Sequence, residues 1–369
     1  MKNLAKEFEY LPLMGMLDDS ENIEETQAED LYEHHRIVAD PKQSLMRIDK
    51  FLMVRLDKVS RNKIQNAIRA GSILVNDDTI KPNYKIKPGD VVSIVLPKPL
   101  EEVVRPKAEN IPLDIRYEDE DVMVIYKPPG MVVHPGVGNY SGTLVNALAY
   151  YFGNSDMPIK EGSPENRLGL VHRIDKDTSG LLVIAKTDYA MTHLAKQFFH
   201  HTIYRRYWAL VWGEPAEDSG TIATRIGRHP RHRMSMAVYD EFTEGGKDAV
   251  THFTVLEKLY YVTLIECRLE TGRTHQIRVH MSHMGHPIFS DPRYGGDKIV
   301  KGTIFSKYKK FVENCFELIP RQALHAKSLG FVHPTTGKEM YFDSELPEDF
   351  QRALEKWRNY LASRKELPE

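Results

Sequence analysis

The chain has 369 residues, of which 41% are hydrophobic and 28% charged, with 23 Gly and 21 Pro. That length exceeds one ordinary core and suits two domains plus tails, and the composition excludes a fibrous or wholly disordered chain. The formal net charge of −2 averages unlike parts: residues 1–40 hold 11 Asp/Glu against 3 Lys/Arg, a net of −8, which leaves +6 for residues 41–369.

The opening stretch, MKNLAKEFEYLPLMGMLDDSENIEE, has no apolar run long enough for a signal peptide, and no later segment approaches the roughly 18 residues that span a bilayer. A cytoplasmic protein with no membrane partner is expected. Cys267 and Cys315 lie 48 positions apart, so neither a disulfide framework nor a four-cysteine zinc site can be built. Residues 1–44 are acidic and lack a sustained apolar period, which predicts a poorly ordered tail.

From Leu45, LMRIDKFLMVRL repeats apolar residues at helical spacing and predicts one amphipathic helix. Ser60 is placed to cap a second, SRNKIQNAIRAG, which turns Ile64, Ala67 and Ile68 inward, leaves Arg61, Lys63 and Arg69 outside, and stops at Gly71. A strand over SILVN, a turn through Asp77 and Asp78, and the closing YKIKPGDVVSIVLP complete a unit over residues 45–98. Three cations near the positive N-terminal end of a helix make a phosphate-binding surface. The unit resembles the S4 RNA-binding module in its first helix, the Ser-Arg start of its second, its AG-x-[IV]-x-VN strand and its KPGD turn. That resemblance implies RNA as a partner.

Residues 99–112 are proline-rich and predict a semi-rigid linker. Over residues 113–345, short strand-like runs (DIRY, VMVIYK, GLLVIAK, YWALVW, VTLIECRL, EMYFD) are interrupted by helical TLVNALAYYF and AMTHLAKQFF, which predicts a strand-rich core. PEDFQRALEKWRNYL repeats apolar residues at helical spacing and predicts a C-terminal helix, followed by a tail, over residues 346–369. The fold class expected is α+β: a small α/β unit, then a larger mixed-sheet domain.

The densest chemical signal is GLVHRIDKDTSGLLVIAK, residues 169–186, which reads as two apolar strands joined by a polar turn from Asp175 to Gly180. Turn chemistry alone accounts for Asp, Thr, Ser and Gly there. A calcium loop is excluded because Lys186 stands where a bidentate Glu is required. HPGVGNYSG has no long apolar strand before it, which excludes a dinucleotide site. Further segments crowd cations, aromatics and imidazoles among apolar neighbours: YKPPGMVVHP, YRRYWA, LETGRTHQIRVHMSHMGHPIFSD and RQALHAKSLGFVHP. Buried charge requires a partner, and Arg173 or Arg273 is the natural one for Asp175. The spacing of His275, His280, His283 and His286 matches no known ligand set, so structural histidines and no metal are expected.

In order and spacing these segments resemble the RluA-type pseudouridine synthases, through HRIDKDTSG and GRTHQIRVH above all. With the S4-like unit in front, the chain looks most like the RluD-type enzymes of large-subunit ribosomal RNA. The resemblance implies Asp175 as the catalytic aspartate, with Arg173 as its neighbouring arginine. It further implies Tyr207 as the tyrosine that stacks on the base and Arg273 as the arginine that pairs with the aspartate. It also implies ribosomal RNA or a partly assembled large subunit as substrate; a monomer is the expected acting form, and a redox-neutral isomerisation needs no cofactor. A catalytically silent RNA-binding assembly factor is the alternative, and it would be expected to lack Asp175, Tyr207 or Arg273. An aminoacyl-tRNA synthetase would need HIGH or KMSKS strings, which do not occur.

Overall fold

The structure, a computed structural model, describes residues 32–56, 61–69, 71–96, 107–135, 139–153, 169–232, 234–240, 245–303 and 305–365. The expectations for the acidic stretch 1–31, for Ser60 as a cap, for linker residues 99–106 and for the Lys63 side chain lie outside the described residues. The chain divides into two compact units, Met1–Lys98 and Pro99–Glu369. Among the described residues no helix is long and apolar enough to cross a membrane.

In the first unit the chain runs through β1 (Tyr32–Val38), β2 (Met46–Arg47), α1 (Ile48–Met53) and α2 (Arg61–Arg69), then β3 (Ile73–Val75), β4 (Asp78–Thr79), β5 (Lys85–Ile86) and β6 (Val91–Leu96). Strands β1, β6, β3 and β4 form one antiparallel sheet in that order, and β2 pairs with β5. Asn76 and Asp77, both with positive φ, turn β3 into β4, as a tight hairpin with primed-turn twist demands. Ile48, Phe51, Leu52, Ile64 and Ile68 from the helices meet Ile73, Val75, Val92 and Ile94 from the sheet in one apolar cluster. Two sequence expectations need correcting. The acidic tail does not run to residue 44, because Tyr32–Val38 pairs along β6; His35, Arg36 and Val38 stay exposed, so an edge strand held mainly by backbone bonds left no apolar alternation to read. The first helix is also shorter than its periodicity suggested, ending at Met53.

The second unit opens with β7 (Asp114–Glu118), β8 (Val122–Lys127), α3 (Leu144–Tyr151) and β9 (Ser179–Ala185). It continues with α4 (Asp188–Phe199), β10 (Tyr204–Trp212), β11 (Ser219–Arg228), β12 (Met236–Tyr239), β13 (Lys247–Lys258) and β14 (Val262–Leu269). It ends with α5 (Gln276–His283), α6 (Ser306–Leu318), β15 (Leu324–Val332), β16 (Glu339–Asp343) and α7 (Glu348–Lys365). Ten strands form one mixed sheet, ordered β12, β11, β13, β14, β10, β15, β9, β8 and β7, with β16 also paired to β15. Every pairing is antiparallel except β9 with β15, where Ser179 lies beside His325 and Gly180 beside Ala326. That parallel contact explains Gly180: its φ is +121°, and a Cβ there would lie 2.2 Å from the Ala326 carbonyl oxygen. Trp212, Phe289, Tyr308 and Trp357 pack α6 and α7 against the sheet. Part of the expected linker is fastened to this unit: the Asn146 side chain of α3 donates to the Lys107 carbonyl at 2.8 Å, and the Asn146 backbone carbonyl accepts from the Glu109 amide at 3.1 Å.

Several histidines bridge elements of this sheet. His325 lies between the Ser179 and Ser344 hydroxyls at 2.9 and 3.0 Å, His280 between those of Thr251 and Thr224 at 2.8 and 2.9 Å, and His172 Nε2 accepts from the Val183 amide at 3.0 Å. Burial pushes all three down, His172 and His325 to about 3 and His280 to about 4. The unfolded chain therefore binds protons more readily than the folded one below the ordinary histidine value. Their contribution to stability should be complete above pH 6.5 and lost as pH falls towards 4, by roughly 1.4 kcal/mol per pH unit for each. Urea melts across pH 4 to 7 check this, and flat stability over that window would contradict the buried neutral assignment.

Candidate active site

Asp175 sits in the segment between Gly169 and β9. That segment differs from the first strand expected there: Leu170 makes one bridge to Ile184, and the rest is an irregular run whose polar side chains turn to different surroundings. The Asp175–Thr178 turn closes with the Thr178 amide on the Asp175 carbonyl at 3.1 Å. Buried Lys127, at the end of β8, donates to the Pro128, Met131 and Lys176 carbonyls at 2.8, 2.8 and 2.9 Å. Burial brings its ammonium down to about 7, against the pull of Asp177 and Asp175. From the other side Arg321 donates to the Asp177 carbonyl at 2.8 Å while its fork grips Asp349 at the start of α7 at 2.7 and 2.8 Å. Two cations thus hold the two peptide groups that follow Asp175.

The carboxylate of Asp175 faces Arg278, whose Nη1 donates to Oδ2 at 2.9 Å. The remaining edge of that guanidinium is bidentate to Asp291, which is fully buried, at 2.7 and 2.9 Å. One arginine is therefore shared by two carboxylates. Burial pushes Asp175 up, but the charges of Arg278 and Arg173, joined at acid pH by that of protonated His275, outweigh it and hold the carboxyl at about 2, so it is ionised at neutral pH. The side chain of Arg278 rises above the usual arginine value despite burial, through its bonds to Asp291 and Asp175.

Arg273 does not pair with Asp175. Its Nε donates to the Asp248 carbonyl at 3.0 Å. The reason is a change of element: GRTHQIRVH is not extended, and a helix begins at Gln276. Gln276 fixes the turn by accepting from the Arg273 amide at 3.0 Å and the Thr271 hydroxyl at 2.7 Å, and by donating to the Val250 carbonyl at 3.0 Å. His275 and Arg278, three apart at the helix start, share a face and both reach Asp175. The signal missed in the sequence is this i, i+3 pair in HQIR.

Tyr207 is buried on β10 between Cys267 and Ala326, beside a bulge at Arg206/Tyr207 that re-aims the strand. Burial raises its phenol, with the charge of Arg205 acting against that shift and the charge of Asp175 adding to it. Arg173 is exposed, with its charge acting on Asp175. Other residues not singled out from sequence are Asp291, Tyr294 and the Lys127/Arg321 pair.

In the first unit Asp49 of α1 is fully buried and accepts from Arg47 at 2.9 Å, Arg61 at 3.0 Å and Gln65 at 2.8 Å. Despite burial those bonds hold its carboxyl well below the usual range. Arg61 is thus a structural partner that ties α2 to α1, whereas Arg69 is exposed and bonded to Asn66 at 2.9 Å.

Comparison with known proteins places the chain in a family. The family described as RNA pseudouridylate synthase matches residues 121–283, and the S4 domain matches residues 46–92. A protein of Chlorobaculum parvum named an uncharacterized RNA pseudouridine synthase is 44% identical over 87% of this chain and 97% of its own length. The chain belongs to the RNA pseudouridine synthase family. An RNA pseudouridine synthase of Bacillus subtilis is 45% identical over 87% of this chain and 97% of its own. A Zymomonas mobilis relative, named ribosomal large subunit pseudouridine synthase D, is 43% identical over 83% of this chain and 92% of its own. The enzyme is an isomerase and binds RNA.

The two arginines separate experimentally. Arg278→Ala leaves Asp175 and Asp291 buried without their shared cation and should cost about 3 to 5 kcal/mol. Arg273→Ala removes one bond to a backbone carbonyl and should cost about 1 kcal/mol. Chemical denaturation of both variants measures this, and equal losses would contradict the pairing described.

Proposed function

We propose that the protein isomerises specific uridines of large-subunit ribosomal RNA to pseudouridine, with Asp175 as the catalytic carboxylate. The observation that carries this is the largely buried Asp175 carboxylate, kept ionised by its 2.9 Å bond to Arg278 and close enough for its charge to act on the buried phenol of Tyr207. The names of relatives such as the Zymomonas protein favour ribosomal RNA, free or in a partly assembled subunit, as substrate. The reaction breaks the N1–C1′ bond, turns the uracil, and joins C5 to C1′; the C5 proton leaves and N1 gains one, so no redox partner or cofactor is consumed. An ionised carboxylate supplies the nucleophile or base for the ribose. Tyr207 stacks on the detached uracil and keeps it in place, a contact worth about 1 to 3 kcal/mol. Arg173, exposed next to Asp175, occupies the space of the flipped nucleotide. One copy of the chain supplies all of these groups, which favours a monomer as the acting form.

Asp175→Asn keeps the size and turn preference of Asp but carries no charge. The variant should fold, bind RNA and release no tritium from ribosomal RNA made with 5-tritiated uridine. Melting temperature and RNA affinity are to be recorded on the same preparation. Tritium release near the parental rate would return Asp175 to the role of a turn residue.

The S4-like unit sets affinity and register through phosphate contacts, with Lys63 and Arg69 on the RNA and Arg61 bracing the helix that carries them. Replacing Lys63 and Arg69 with Gln should lower the salt dependence of RNA binding by up to about 2 phosphate contacts' worth of slope. Binding titrations over a salt series check this; an unchanged slope would remove this helix from the RNA surface.

A further inference from the structure

We propose that His275 is a second residue of the reaction centre, a neutral imidazole whose Nε2–H donates to the uracil as it leaves and rejoins the ribose. The proposal rests on the reading of Asp175 as that centre. His275 is the N-cap of α5 yet makes no capping hydrogen bond, and its φ of 56° lies in the left-handed region that L side chains rarely adopt. Such backbone persists where the surroundings over-determine it, and it gathers at functional sites. Here Tyr294 does much of the determining. Its hydroxyl accepts from the Met236 amide at 3.0 Å and lies 2.7 Å from His275 Nδ1. With one bond already accepted from the Met236 amide, the phenol has its own proton to give to Nδ1, the arrangement that places the ring hydrogen on Nε2.

That Nε2 stands 4.0 Å from Asp175 Oδ2, longer than a hydrogen bond. The donor is close to the carboxylate without being consumed by it. The imidazole side chain is 16% exposed, so it is reachable from outside. Burial, with Arg278 and Arg293 adding to it, outweighs Asp175 and Asp291 and brings the group to about 4, so the ring is uncharged at neutral pH. A neutral donor suits this chemistry. Cleavage of N1–C1′ leaves the electron pair on N1, spread to the uracil oxygens, and a preorganised N–H stabilises that charge. The imidazole keeps its proton throughout, so the uracil is free to turn and bond through C5. An imidazolium in the same place would form an ion pair with Asp175 and reduce its reactivity.

The test compares His275→Asn, Tyr294→Phe and Asp175→Asn with the parent, using a large-subunit ribosomal RNA transcript carrying 5-tritiated uridine. Asn tolerates the left-handed backbone. His275→Asn should bind the transcript within about threefold of the parent yet turn over about 10- to 100-fold more slowly in a single-turnover assay. Tyr294→Phe, which keeps the imidazole but frees its tautomer, should be slower by several-fold. Long-range proton–nitrogen spectra of histidine-labelled protein, assigned by the signal lost in His275→Asn, should show a neutral Nε2–H ring in the parent and a tautomer mixture in Tyr294→Phe. A folded His275→Asn at the parental rate, or an Nδ1–H ring in the parent, would overturn the proposal. Should His275→Asn not fold, Tyr294→Phe decides, and a parental rate there overturns it equally. Turnover by Asp175→Asn would instead undo the reading of Asp175 and is scored separately.

Discussion

The second unit is organised around one guanidinium. Arg278 is almost wholly buried between Asp175 and Asp291, and two carboxylates against one cation leave a negative charge inside the protein. Such a group survives only if every hydrogen bond is made and further positive charge stands close by. Arg173 supplies part of that charge. Asp291 is itself fixed by the Arg293 and Tyr294 amides at 3.0 and 3.3 Å, so the loop after Ser290 is folded around the same cation. The ring of Tyr294 lies 5.1 Å from the guanidinium, adding a π-face to its surroundings. Displacing Arg278 would therefore disturb helix, loop and carboxylate together.

How much of this was legible in the sequence depended on the range of the interaction. Strands such as VMVIYK and VTLIECRL declare themselves through local apolar content, and their places as β8 and β14 follow. The turn at Asp175 was visible as well, because Asp, Thr, Ser and Gly carry their own backbone preferences. What local pattern does not encode is which cation reaches the carboxylate. Arg278 lies 103 positions from Asp175, and the choice between it and Arg273 turns on a helix start set by Gln276, whose amide bonds reach back to β13. Edge strand β1 was hidden for a similar reason: its stability comes from pairing with β6, and a polar edge leaves no periodic trace. Arg61 looked like an RNA contact because nothing in the helix itself reveals that Asp49, 12 positions earlier, is buried against it.

The site is preorganised by backbone as much as by side chains. Peptide groups following Asp175 are held by Lys127 and Arg321, and the strand after them can approach β15 only because Gly180 has no side chain. Rigid support of this kind keeps the Asp175 carboxylate in one geometry.

The parallel seam between β9 and β15 also sets an order of events in time. Ser179 and His325 are 146 positions apart, and β15 is laid between β10 and β9, which precede it in the chain. A growing polypeptide can pair β7, β8 and β9 early, but β9 has no partner on its other side until β15 has been made, and Arg321 cannot reach Asp349 before α7 exists. An incomplete chain thus holds Asp175 in an unbraced loop. A fragment that carries the S4 module but stops before β15 and α7 would still lack the braces on the Asp175 turn.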